Sequence, residues 1–437
     1  MRWERWGRLL GRPGRSGQMI RLGAAGLGVL VLLATLGVIG YRVFAPHETL
    51  TRPSEPYPAA GAIVDERPFS ELRAAPLVVD GRLRVYAEKW RIWSDGPVGG
   101  RYEATPYWAL RRWPAQVVGV VSVAAPTGPV VVTQWSDGEL VALDARSGRI
   151  AWRAAGPAVE RGYDGRRTGA SVVYEPEALL TAQRPGGAVV IAIGSGSMRA
   201  FDALTGAGLW DRPQPTDCHP WTADALVAVP GCADSLVTFI DAASGIERST
   251  WTAPGGEPVV PSQCALGRSG CRLLIAGPAT FRVGGDDRPH PIPTLPEGAL
   301  LAGDLVVYPS PAGVTARPLA GGPTRWTWSG QGRLVTANEA GVYLLTGDLT
   351  VLALDPARGS LKSVGCAAIT VRDQWQLGHV YPAENGEYLA IERLSGAAPT
   401  SADKVYYFGL RPMALVELYP PSQLPVWPGK FAACRPL

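Results

Sequence analysis

Three residue types recur at a fixed spacing and are able to do chemistry. Asp144, Gly148 and Trp152 stand at steps of four in "LVALDARSGRIAWR", and Asp202, Gly206 and Trp210 repeat the arrangement in "MRAFDALTGAGLWDR". A carboxylate, a flexible glycine and a stacking aromatic, copied along a chain, would suit a cofactor box. Two weaker copies keep only part of it. Asp241 and Gly245 are followed by a displaced Trp251, and Asp355 and Gly359 have Ser363 at the tryptophan place. The acid and the glycine persist while the tryptophan drifts, as a turn requires. Asp at the start of a tight turn accepts hydrogen bonds from backbone N–H groups two or three residues on. Gly four places later supplies the left-handed conformation that reverses the chain. The tryptophan on the next strand has the area to wedge between neighbouring units. Replacing Asp144 or Gly148 is then expected to cost about 1 kcal/mol or more of stability, and no activity.

The six cysteines are Cys218, Cys232, Cys264, Cys271, Cys366 and Cys434. An even number outside the cytoplasm implies disulfides, with fifteen pairings open. Proximity favours Cys218–Cys232 and Cys264–Cys271, leaving Cys366–Cys434. Zinc is disfavoured: there is no CxxC, and His47, His219, His290 and His379 are scattered. The neighbours Cys218 and His219 read as a disulfide half and a surface histidine, not as nucleophile and base. "GSGS" at Gly194–Ser197 lacks the Gly-Lys-Ser/Thr of a phosphate loop and reads as a hairpin turn. No GxSxG elbow and no HExxH occurs. "DGRR", Asp164–Arg167, reads as a solvated loop, or else as a basic contact for a partner or an anionic envelope polymer.

The elements that carry these residues are short and β-rich. "GAVVIAIG", "ALVAVPG", "DLVVYPS" and "GVYLLTG" are apolar runs bounded by Gly or Pro. Asp202 to Asp241 is 39 residues, and Asp241 to Asp355 is 114, close to three such periods. Two degenerate copies are therefore expected between them, in "ATFRVGGDDRPHPIP" and in "VTARPLAGGPTRWTW", where Gly322 and Trp326 keep the glycine and tryptophan places. From Asp144 to Asp202 the spacing stretches to 58, an inserted loop within "GPAVERGYDGRRTGASVVYEPEALLTAQRPGG". "YWALRRWPAQVVGVV" resembles the strand after the turn. A period of about 40 residues with four short strands per unit predicts an all-β chain, a seven- to eight-bladed β-propeller. A pair of β-sandwiches would leave the period unexplained.

The amino-terminal end differs. Residues 1–21 carry six arginines against Glu4, and residues 22–44 hold "LGAAGLGVLVLLATLGVIG", 19 uncharged residues from Leu22 to Gly40. At about 1.5 Å per residue such a helix matches the hydrocarbon thickness. The arginines keep the tail cytoplasmic and place the remainder outside. A retained signal anchor is favoured over a cleaved signal peptide, because the apolar run is long and Pro46 follows the one small-residue site, Val43–Ala45. Residues 45–74 contain Pro46, Pro53, Pro56, Pro58 and Pro68 and read as a semi-rigid linker, with the propeller over 75–437. From Pro46 onward there are 35 basic and 37 acidic residues, so the electrostatic footprint of nucleic-acid binding is missing.

The four Asp–Gly stretches resemble the repeat of the PQQ-like (quinoprotein-type) β-propeller family, "LVALDARSGRIAW" most closely. The resemblance implies a propeller over about residues 75–437. The family holds quinoprotein dehydrogenases as well as non-catalytic envelope scaffolds. The dehydrogenases resembled have a vicinal disulfide, which this chain lacks, and a calcium site needing six or more oxygen ligands. Asp286–Asp287 is the one acidic pair noted, and no such constellation can be assigned around it. The expectation is a single-pass membrane protein of the cell envelope whose propeller binds a protein, peptide or glycan, with no cofactor, no metal and no enzyme activity. The alternative is a PQQ-dependent oxidoreductase.

Overall fold

The structure is a computed structural model that describes residues 15–59, 69–214, 219–231, 235–367, 375–394 and 411–423, with helix side chains from residue 26 onward except that of residue 43. Two compact units are separate: Met1–Glu48 with Arg112–Pro114, and Thr49–Arg111 with Ala115–Leu437.

The first unit is built on helix α1 (Arg15–Phe44). Leu27, Val29, Leu30, Val31, Leu32, Leu33, Leu36, Val38 and Ile39 are all exposed, so the helix is apolar on every side. Among the described residues no helix is long and apolar enough to cross a membrane. The expected span Leu22–Gly40 begins outside the described side chains, and most of the basic tail lies outside the described residues. At the end of the unit, Arg112 Nε lies 3.2 Å from Glu48 Oε2, and Trp113 Nε1–H donates to the Phe44 carbonyl at 3.3 Å.

The second unit is a ring of eight antiparallel sheets. The first blade contains Leu77–Val79, Leu83–Glu88, Arg91–Asp95 and Trp108–Trp113, with His47–Thr51 as a fifth, outer strand. The next three are Val117–Ala155, Leu179–Pro213 and Trp221–Thr252, each of four strands in chain order. Then come Val259–Ile292, Leu300–Trp328 and Leu361–Cys366 with its three predecessors from Arg333. The eighth blade takes Gln376–Pro382, Tyr388–Leu394 and Met413–Glu417, and its outermost strand is Phe69–Leu72. Propeller strands thus occur ahead of position 75, in His47–Thr51 and Phe69–Leu72. Blade number is eight, the upper of the two expected values. The blade the period left open is the first, Leu77–Trp113, which lies ahead of the first Asp–Gly turn.

Period-two alternation explains why the strands read as unbroken apolar runs. In Gly187–Gly194, Val190 and Ala192 face the seam with the second blade, whereas Val189 and Ile191 face the seam with the fourth. The core is accordingly eight inter-blade seams and not one central mass. Full burial of each such aliphatic side chain contributes about 1.5–3 kcal/mol. The thinnest seam joins the fifth and sixth blades, with only Leu273, Leu301, Val306 and Leu319 buried in its cluster.

The proline-rich stretch is partly structural. Tyr57 lies between the guanidinium groups of Arg82 and Arg146, at 5.4 and 5.6 Å, and its hydroxyl donates to Asp80 Oδ2 at 3.3 Å.

Candidate functional site

The recurring triplets lie where the third strand of a blade turns into the fourth. Asp144 Oδ1 accepts from the N–H groups of Arg146 and Ser147, both at 2.9 Å. Asp202 does the same to Leu204 and Thr205, Asp241 to Ala243 and Ser244, and Asp355 to Ala357 and Arg358. Gly148, Gly206, Gly245 and Gly359 have φ of 61, 72, 68 and 67°. Each also carries the indole of the preceding blade. A Cβ on Gly148 would stand 2.5 Å from Trp108, on Gly206 2.6 Å from Trp152, on Gly245 2.7 Å from Trp210, and on Gly359 2.5 Å from Trp326. Each indole N–H donates into the same turn: Trp108 to Ala145 O, Trp152 to Ala203 O, Trp210 to Ala242 O and Trp326 to Pro356 O, at 2.8–3.0 Å. The glycine is needed twice, for its positive φ and for its bare face.

The seam between the fourth and fifth blades departs from this. Trp251 meets Phe281 edge-on, 4.9 Å between centroids, and Asp287 takes the left-handed place at φ 60° in a shorter turn. Gly284 N–H donates to Arg288 O there, while Asp286 pairs with His290 at 2.8 Å.

Electrostatics make the turns of Asp202 and Asp241 pH-sensitive, the latter more strongly. Desolvation alone would raise the Asp241 carboxyl. Arg248 Nη2, 2.9 Å away, and the donors of Ser244 outweigh it and hold the pKa at about 2. The folded value is below the ordinary ~3.9, so this contribution to stability is present above about pH 4 and is lost as pH falls toward about 2. Asp241→Asn should flatten that part of the acid limb. Urea unfolding across this window reads it, and an unchanged pH slope would refute the assignment.

Among the described cysteines, Cys264 and Cys271 form a disulfide, S–S 2.03 Å, and Cys366 is also disulfide-bonded. Cys218, Cys232 and Cys434 lie outside the described residues.

Two segments converge on the ring axis. The insertion after the second blade contains helix α2 (Ala170–Tyr174) and reaches blades far from its own. Tyr163 hydroxyl donates to Ala87 O at 3.1 Å, and Thr168 O accepts from Ala75 N–H at 2.7 Å, both on the first blade. Tyr174 stacks on Tyr381 of the eighth blade, centroids 4.0 Å apart and planes within 7°. Its carbonyl accepts from Gly267 N–H of the fifth blade at 2.9 Å. The insertion thus touches the first and eighth blades and the loop carried by the fifth. Gly267 belongs to the disulfide-closed loop Cys264–Cys271. That loop runs inward along the fourth and third blades: Cys271 N–H donates to Thr222 O, and Thr181 N–H to Ser269 Oγ. "DGRR" is thus not simply a solvated loop. Arg166 turns inward, 3.9 Å from Glu392, a carboxylate whose side chain is 2% exposed.

Glu392 organises the eighth-blade wall of the axis. A bulge between Leu377 and Val380 sets Gly378 and His379 against it. A Cβ on Gly378 would stand 2.8 Å from that of Glu392. His379 Nδ1 lies 2.9 Å from Glu392 Oε2, and this hydrogen bond raises the imidazole pKa above its ordinary value. Burial pushes the Tyr174 and Tyr381 hydroxyls up.

Two surface cavities open on the ends of the fourth and fifth blades. One of about 490 Å³ lies where fourth strands connect to first strands, bordered by Glu175, Glu177, His219, Trp221 and Arg268. Another of about 590 Å³ lies at the opposite end, bordered by Asp224, Arg282, Asp287 and His290. Sequence reasoning found the turns and the insertion. It missed the His379–Glu392 pair, which is separated from Arg166 by more than two hundred positions and has no local signature.

Among the described residues no group of three or more His, Cys, Asp or Glu could hold a metal ion.

Residues 59–253 match the family described as outer membrane protein assembly factor BamB. No curated protein matches the chain. Among solved structures, BamB from Moraxella catarrhalis is 16% identical with a TM-score of 0.40, covering 80% of this chain and 99% of its own. A europium-containing methanol dehydrogenase is 13% identical with a TM-score of 0.37, covering 86% and 93%. Kluyveromyces lactis Hsv2 is 11% identical with a TM-score of 0.33, covering 47% and 68%. Likenesses of this size carry no functional information. The chain is an eight-bladed β-propeller, and its residues 59–253 match a PQQ-like repeat family.

Proposed function

We propose that the chain is a membrane-anchored, extracytoplasmic binding or scaffold module of the cell envelope, with no enzyme activity of its own. The observation that carries this reading is the chain's own insertion folded onto the inner face of several blades, with Tyr174 stacked on Tyr381 and bonded to Gly267. A ring filled in this way presents rigid end faces and loops to a partner, whereas a cofactor seat on the axis would need that space. The match over residues 59–253 to a family described as an assembly factor supports it. So does α1, whose all-round apolar surface suits lipid. Its tail is cytoplasmic and its partner a protein, peptide or glycan.

Full-length protein incubated with PQQ and Ca²⁺ should reduce no dye above the protein-free rate. Turnover that saturates with an alcohol or sugar substrate would overturn the non-catalytic reading. Crosslinking of the anchored form in its membrane should return one stoichiometric envelope partner.

A further inference from the structure

The cavity of about 490 Å³ beside the axis carries a charge arrangement that the scaffold reading does not use. Its walls come from three sources. Inner strands of the fourth and fifth blades are short here, Trp221–Ala223 and Val259–Ser262. The disulfide-closed loop supplies Arg268 and the end of the axial insertion supplies Glu175 and Glu177.

Arg268 is a poorly satisfied cation. Its Nη1 donates to the His219 carbonyl at 3.3 Å, and among the described residues it makes no ion pair. Desolvation lowers its pKa, partly offset by the field of Glu177, which is not in direct contact. Glu175 accepts from the Tyr381 hydroxyl at 3.4 Å, and Glu177 faces Arg161 at 3.5 Å with both side chains largely exposed. Val259, Val260, Pro230 and Leu236 also line the cavity, with Val260 55% exposed.

We propose that this cavity binds a small zwitterion with an aliphatic body, a free amino acid or a short peptide, its carboxylate on Arg268 and its ammonium on Glu175 and Glu177. A half-desolvated guanidinium gains most from a carboxylate, which it takes in two parallel hydrogen bonds. A purely anionic ligand would meet Glu175 and Glu177, and a purely cationic one would meet Arg268. Only a ligand with both charges answers all three groups, and the aliphatic wall selects its side chain. The volume falls within the ~300–1,000 Å³ usual for small-molecule sites.

The test titrates full-length protein with L-leucine, L-leucyl-L-leucine, 4-methylpentanoate and 3-methylbutylamine by calorimetry. The last two lack the ammonium and the carboxylate, respectively. L-leucine or its dipeptide should saturate, and the stronger of the two identifies the source. Each single-charge analogue should bind about tenfold more weakly or worse. Arg268→Gln should weaken the zwitterion about tenfold at an unchanged unfolding midpoint. Glu175→Gln with Glu177→Gln, both at exposed positions, should do the same at an unchanged unfolding midpoint. No heat from either zwitterion at millimolar concentration, or equal binding of all four compounds, would overturn the proposal. Neither result bears on whether an envelope partner is recovered by crosslinking.

Discussion

Replacing Gly148 by alanine is expected to cost about 2–4 kcal/mol, several times the cost of removing the Asp144 side chain. Two effects add. The residue sits at φ 61°, where a Cβ is strained by about 1 kcal/mol. That Cβ would also stand 2.5 Å from Trp108, whose indole is fully buried and hydrogen-bonded to Ala145 O, so it cannot step aside. Overpacking of this kind costs about 1–3 kcal/mol. Asp144→Ala removes only the turn's carboxylate acceptor, worth about 1 kcal/mol. Urea unfolding followed by tryptophan emission gives both values. A double-mutant cycle separates the two parts: in a Trp108→Ala background the clash is gone, and Gly148→Ala should cost only its backbone strain. The idea fails if Gly148→Ala is as mild as Asp144→Ala.

Asp95→Ala is expected to cost about 3–5 kcal/mol. Arg84 and Asp95 are wholly buried in the first blade and meet through two parallel hydrogen bonds of 2.8 Å. The guanidinium also holds the carbonyls of Gly100 and Tyr102, while Asp95 Oδ2 accepts from Ala104 N–H at 2.8 Å. The pair thus fastens the long connection before Trp108, the first of the docked indoles. Removing the carboxylate leaves a buried cation with no counter-charge. Replacing both residues together, Arg84→Met with Asp95→Leu, should recover much of the loss, because a matched apolar pair needs no desolvated charge. Equal destabilisation by the single and double variants would mean that the connection, and not the stranded charge, dominates.

What the sequence revealed follows from how local each interaction is. The Asp–Gly turns were legible because carboxylate, amide donors and left-handed glycine lie within five residues. The indole's seat was not, because Trp152 docks on Gly206, one blade further on, and nothing local marks the pair. Blade five hid its turn by using Asp287 in the glycine's place. The insertion was visible as excess length between Asp144 and Asp202, but its destination was not. Its partners Ala87, Gly267 and Tyr381 come from three different blades, and only the closed ring brings them together.

The clasp formed by Phe69–Leu72 has a consequence for biogenesis. Leu72 is among the first propeller residues made, and its partner Met413 among the last. At about 5–20 residues per second, synthesis leaves that strand unpaired for roughly 20–70 s. During this interval seven blades can stack on one another in order, each seated by its neighbour, while an apolar edge stays open at both ends of the growing arc. The nascent chain is thus most exposed to mispairing just before it is complete, and chaperone demand should peak with the last blade and vanish when the ring snaps shut.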